Sequence, residues 1–107
     1  GNNQYDASYD EIRMYGNGVA AARKGSKWGY INKTGTEELK FLYEDAGQFI
    51  NHVAAVKSNG KWGIIDPNGK FLTQPEYDDY KISADGQKRS LFKGGKEYTV
   101  LDNGTVK

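Results

Sequence analysis

The sequence predicts an all-β fold of antiparallel β-hairpin repeats, each about 34 residues long. Two copies are full and a third is degenerate, forming a stacked array or a compact barrel-like domain. Three observations carry this expectation. "SKWGYINKTG" (Ser26–Gly35) returns 34 residues later as "GKWGIIDPNG" (Gly60–Gly69). Turn-forming dipeptides sit at matching places in every copy. Pro75 interrupts the one stretch whose counterpart might otherwise be helical.

Placed without a gap, Tyr9–Leu42 and Tyr43–Glu76 share 10 of 34 residues, against about two expected by chance from average usage. The identities spread across the unit, from Tyr9/Tyr43 and Asn17/Asn51 to Lys27/Lys61, Trp28/Trp62, Gly29/Gly63 and Gly35/Gly69. A third copy opens on schedule with "YDDY" at Tyr77, after "YDEI" and "YEDA". It then drifts, with Glu97 and Tyr98 where the Trp-Gly pair belongs. The organisation expected is a lead-in over 1–8, repeats over 9–42 and 43–76, and a degenerate, capping repeat over 77–107, all in one domain. Terminal repeats of arrays depart from the pattern because one face lacks a neighbour.

Within a unit the elements follow from turn chemistry. "HVAAVKS" (His52–Ser58) is a strand candidate, Asn59-Gly60 makes a two-residue turn, and "KWGIID" (Lys61–Asp66) returns. Gly25-Ser26 suits a type II′ turn at the same point of the first unit, and Gly94-Gly95 serves the third. A second turn recurs as "NKTG", "DPNG" and "DNG". About three short strands per unit are expected. Thr36–Phe49 reads as strand, with a helical turn near Glu37–Lys40 as its alternative.

Composition narrows the function. Fifteen basic against 14 acidic side chains argue against a polyanion-coating surface, so no nucleic-acid partner is expected. With no Cys and one His, a zinc site is unsupported and no cofactor or metal is expected. No apolar run approaches the roughly 18 residues of a membrane-spanning helix. With few aliphatic residues, the eight Tyr, four Phe and two Trp must build much of the core.

The candidate residues each carry two readings. Trp28 and Trp62 are core rings of successive units, with Gly29 and Gly63 permitting close approach; alternatively they form an exposed ladder for sugars or peptide. The thin aliphatic supply favours the core. Tyr30 shares the strand face of Trp28. Lys88 and Arg89 belong to the one basic run, Lys81 to Lys96, with Tyr80 beside it; the run faces an anionic partner or guards a sheet edge against aggregation. The pairs Asp10-Glu11, Glu44-Asp45 and Asp78-Asp79 recur with the period, whereas catalytic carboxylates are singular, so they read as solvated turn positions paired with Lys27 or Lys61. His52 lacks a nucleophile motif, and the Asp66 and Asp102 turns lack the ligand spacing of a calcium loop. No catalytic residue is assigned.

"GVAAARKGSKWGYINKTG" and "HVAAVKSNGKWGIIDPNG", followed by "YEDAGQF" and "YDDYKIS", resemble the WG-repeat family, also called KWG repeats. The likeness covers about Tyr9–Asp79 well and the rest weakly. The family occurs mainly in bacteria, often as long arrays, without an established common activity. It implies β-hairpin repeats with Lys27, Trp28, Gly29 and Gly35, then Lys61, Trp62, Gly63 and Gly69, as structural motif. By association it implies a binding or scaffold module for a protein or glycan. The alternatives are a carbohydrate- or cell-wall-acting enzyme using carboxylates from different repeats, or a structural spacer of a larger protein. A bacterial cell envelope or secreted setting is favoured over the cytoplasm.

Overall fold

Runs of consecutive buried residues, covered on both sheet faces, and two-residue turns give three antiparallel meanders. The computed structural model describes residues 9–107, which form eleven strands. The first sheet comprises β1 (Glu11–Gly16), β2 (Val19–Lys24), β3 (Lys27–Asn32) and β4 (Glu37–Tyr43), paired in chain order. The second repeats the plan with β5 (Asp45–Ala46), β6 (Ala54–Ser58), β7 (Lys61–Ile65) and β8 (Phe71–Tyr77). The third contains β9 (Asp79–Ile82), β10 (Arg89–Lys93) and β11 (Lys96–Thr99). The sheets form an open array measuring 46 × 25 × 25 Å, and no barrel closes among the described residues.

A full unit therefore holds four strands, one more than expected. Thr36–Phe49 does not form a single strand, because the chain changes sheet at Glu44. Tyr43 still pairs with Trp28 in the first sheet, while the Glu44 amide donates to the Lys57 carbonyl of the second at 2.8 Å. Asp45 and Ala46 then pair with Lys57 and Val56. The same handover recurs at Asp78, whose amide donates to the Phe92 carbonyl at 2.7 Å. No helical turn forms at Glu37–Lys40; these residues lie in β4.

The hairpin turns solve one backbone problem in two ways. Asn59 and Gly60 both take positive φ, at 53° and 80°, as type I′ requires. At the matching position of the first unit only Gly25 does, at 65°, which fits type II′.

Three apolar clusters alternate with the sheets. One fills the space between the first two sheets, with Ala21, Trp28 and Tyr30 facing Ala46, Phe49, Ala54, Val56 and Ile65. A second lies between the second and third sheets, where Ala55, Trp62 and Ile64 meet Leu91, Tyr80 and Val100. The third covers the outer side of the first sheet, with Ala20, Ala22 and Ile31 beneath Tyr9, Ile12, Tyr15 and Phe41. The core thus sits mainly between units, which explains why a single 34-residue unit has no interior of its own.

Candidate functional site

The Trp-Gly pair is where sequence and packing meet most directly. Trp28 and Trp62 are only 4% and 8% exposed, each on the face its sheet turns toward the next unit. Trp28 is covered by the Arg13 guanidinium, 3.9 Å from the ring centroid. That guanidinium also donates to the Asp45 carboxylate and the Ala46 carbonyl, clamping the second unit onto the first. Trp62 instead meets the Tyr80 ring at 5.0 Å. Each Gly has its own reason. A Cβ at Gly29 would stand 2.6 Å from the Leu39 carbonyl oxygen, and one at Gly63 2.6 Å from that of Thr73. Both glycines face the bulge where β4 or β8 slips register against its partner. The missing side chain admits the neighbouring backbone.

The rest of the structural motif is equally local. The Gly35 and Gly69 amides donate to the Asn32 and Asp66 carbonyls, closing the second turns at 3.0 and 2.9 Å. Lys27 is exposed at its hairpin end, and Lys61 pairs with the Asp78 carboxylate of the third unit.

The recurring acids serve the backbone. Oxygens of Asp10, Glu44 and Asp78 accept the Gly25, Gly60 and Gly94 amides at 2.6, 2.8 and 3.1 Å. One carboxylate per unit thus holds the hairpin turn that follows it. The hydrogen bond from Lys61, with help from the Gly94 amide, draws the Asp78 carboxyl below its usual range. In the second turns, Asn32 and Asp66 turn their own oxygens onto amides two and four residues on, so the calcium-loop resemblance ends in an Asx turn. Among the described residues, no group of three or more His, Cys, Asp or Glu could hold a metal ion. His52 occupies a left-handed turn position at φ 65°, with its amide donating to the Asn17 side chain.

The remaining candidates divide between interior and surface. Tyr30 is fully enclosed; its hydroxyl donates to the Gly47 carbonyl, and burial raises its pKa well above the ordinary phenol range. Burial likewise raises Tyr80, with Arg89 opposing. Arg89 departs from the solvated basic run expected around it. It is 7% exposed, and its guanidinium donates to the Val53 and Ile50 carbonyls of the second unit at 2.9 and 3.0 Å. The alternation of β10 explains this, because Arg89 and Leu91 share the inner face. Lys88 lies on the opposite side, in the open, 3.3 Å from Glu97.

That opposite side is the most distinctive surface of the molecule. Hairpin register aligns Arg23↔Trp28, Lys57↔Trp62 and Phe92↔Glu97. It likewise aligns Ala21↔Tyr30, Ala55↔Ile64 and Ser90↔Thr99. In the first two units this face carries Ala, Trp, and Tyr or Ile against the next sheet. In the third it carries Ser90, Glu97 and Thr99. The Ser90 hydroxyl donates to Glu97 at 2.7 Å, and with Lys88 it holds the Glu97 carboxyl below its usual range. Lys81, Ile82, Ser83, Lys88, Ser90, Phe92 and Glu97 line a groove of about 250 Å³ there, with the Lys81 ammonium 5.4 Å from the Phe92 ring centroid. Sequence reading located the Glu97 substitution but not the wholesale polarisation of the face, which requires the hairpin register.

An open stack of β-meanders with an interleaved Trp defines a β-repeat protein. The family described as WG containing repeat matches residues 5–28, 28–62 and 62–86, its units meeting on Trp28 and Trp62. The chain belongs to that family. Compared with curated proteins and with solved structures, it matches none.

Proposed function

We propose that this repeat module is a non-enzymatic binding domain. On this reading its units, over 9–42, 43–76 and 77–107, act together as one domain. Its ligand is a saccharide seated in the groove on the outer face of the third unit. The observation that carries the reading is the chemistry of that face. Where the other units present Trp to a neighbour, it offers the Phe92 ring amid two hydroxyls, two ammonium groups and a carboxylate. Sugars bind through C–H faces on aromatic rings and through hydroxyls on such side chains. The groove lies clear of Trp28, Trp62 and Tyr30, whose rings serve the core.

The test is an isotope-labelled titration with soluble cell-wall oligosaccharides. Shifts at Lys81, Ser90 and Phe92 that vanish in Phe92→Ala, with an unchanged melting temperature, support the assignment. Shifts elsewhere, or none across the panel, remove it. Incubation products are assayed in parallel: turnover that disappears on replacing Asp45 and Asp78 with Asn would establish the enzyme instead.

A further inference from the structure

Asn-Gly pairs punctuate the chain at 17–18, 59–60, 68–69 and 103–104. Such pairs are open to an intramolecular reaction, because glycine has no side chain to shield its nitrogen from the asparagine amide carbon. The fold treats the four differently. Asn17 Oδ1 accepts the His52 amide at 2.8 Å, which anchors it to the second unit. Asn103 Oδ1 accepts both the amide and the hydroxyl of Thr105, and the Gly104 that follows is buried under Leu72. Asp66 holds the third pair at both ends. Its carboxylate accepts the Asn68 amide at 2.8 Å and its carbonyl the Gly69 amide at 2.9 Å.

Asn59-Gly60 stands apart. Both residues are exposed at the tip of the β6–β7 hairpin, and no atom beyond its chain neighbours lies within 4 Å of the Gly60 Cβ position. Among the described residues no hydrogen bond holds the Asn59 side chain. The glycine nitrogen is nevertheless engaged, and by a carboxylate rather than a peptide carbonyl. The Gly60 amide donates to Glu44 Oε1 at 2.8 Å. Asp10 and Asp78 hold the Gly25 and Gly94 amides likewise, but those amides follow Lys24 and Lys93. Of the three units, the second alone puts an Asn before the held amide.

From the free Asn59 side chain, the open hairpin tip and the carboxylate on the Gly60 amide, we infer that Asn59 is a site of spontaneous deamidation with Glu44 as its general base. The Gly60 N–H lies in the peptide plane. Cγ of Asn59 approaches the nitrogen from above that plane while the proton leaves within it, toward Glu44. The new N–Cγ bond closes a cyclic imide. The Cγ–Nδ2 bond breaks, and the proton passes from Glu44 to the departing nitrogen, which leaves as ammonia. Water then opens the imide at either carbonyl, giving aspartate or isoaspartate. The turn must open briefly for ring closure, and exposed hairpin tips are where local opening costs least. Isoaspartate lengthens the backbone between Ser58 and Lys61, the last register pair of the hairpin that carries Trp62.

The test incubates the whole chain in mildly alkaline buffer made with heavy-oxygen water and follows peptide masses at all four pairs. The expected result is that Asn59 takes up the label first, with Asn17, Asn68 and Asn103 lagging. Glu44→Gln keeps an acceptor for the Gly60 amide but removes the base. Deamidation at Asn59 should then slow about tenfold or more, as loss of a general base does. The other three pairs should keep their rates, which checks that the fold persists. A faster pair elsewhere, or no label at Asn59, overturns the inference. So does an Asn59 rate unchanged or raised by Glu44→Gln, which would make the carboxylate a guard of the turn and nothing more. The ranking within the wild-type chain needs no variant, so it decides even where Glu44→Gln loosens the hairpin.

Discussion

The same face of three successive sheets carries two chemistries. In the first two units it presents Trp28 and Trp62 to a neighbour and buries them. In the third it presents Glu97, satisfied by Ser90 and Lys88, to solvent. The contrast teaches that the Trp-Gly pair is a joint between units. The ring supplies apolar area to the following sheet, and the glycine lets the edge strand of its own sheet bend across it. A unit whose face meets water has use for neither, and Tyr98 accordingly occupies the place of Gly63 in the hairpin register.

The strongest way to break this comparison is to remove a joint. Trp62→Ala should destabilise the chain by about 3–5 kcal/mol, as large-to-small core substitutions do. Glu97→Ala, at the matched position of the third unit, should produce a far smaller change. Urea melts of both variants check the difference, and similar midpoints would remove the distinction between joint and surface.

The glycine half of the pair gives the next largest effect. Gly63→Ala forces a Cβ against the Thr73 carbonyl, backbone that side-chain rotation cannot clear, and should cost about 1–3 kcal/mol as overpacking does. Gly95→Ala makes a useful contrast. No atom lies within 4 Å of its Cβ position, so any loss there comes from its φ of 80° alone.

A gain is expected where the second unit departs from the first. His52 holds the left-handed position that Gly18 occupies one unit earlier, at φ 65° against 84°. His52→Gly should relieve that strain, raising stability by about 1 kcal/mol, because its amide bond to Asn17 is retained. Thermal melts compare it with wild type.

The smallest effect sharpens the comparison through pH. Asp78 and Glu97 have folded pKa values below their unfolded ones, Asp78 through Lys61 and the turn amide, Glu97 through Ser90 and Lys88. Their stabilisation is present above the unfolded carboxylate range, near pH 4, and is lost as pH falls through the folded values. Asp78→Asn and Glu97→Gln should each lower the melting temperature above the carboxylate range and converge with wild type at lower pH, flattening the acid limb of the profile.

Much of the fold was legible because the repeat was. Identical residues at one spacing exposed the hairpins, and the Gly25-Ser26, Asn59-Gly60 and Gly94-Gly95 turns fixed where strands reverse. The sheet-to-sheet step at Glu44 was not legible, since an extended chain looks the same whether it continues one sheet or enters the next. Arg89 was hidden for a related reason. A basic run reads as surface until strand alternation assigns its members to faces, and only long-range pairing supplies the two carbonyls that receive it. The recurring acids were visible as a pattern, but their task, holding turn amides some 15 residues on, depends on chain reversal. The outer groove of the third unit was the least legible feature, because its residues come from three strands and a loop.

The central claim, that Trp28 and Trp62 are joints between units, is tested most directly by tryptophan emission with iodide quenching, on wild type and Trp62→Phe. Buried joints predict blue-shifted, poorly quenched emission in both proteins, the variant reporting Trp28 alone. Red-shifted emission readily quenched by iodide would place the rings in water and contradict the stacked architecture.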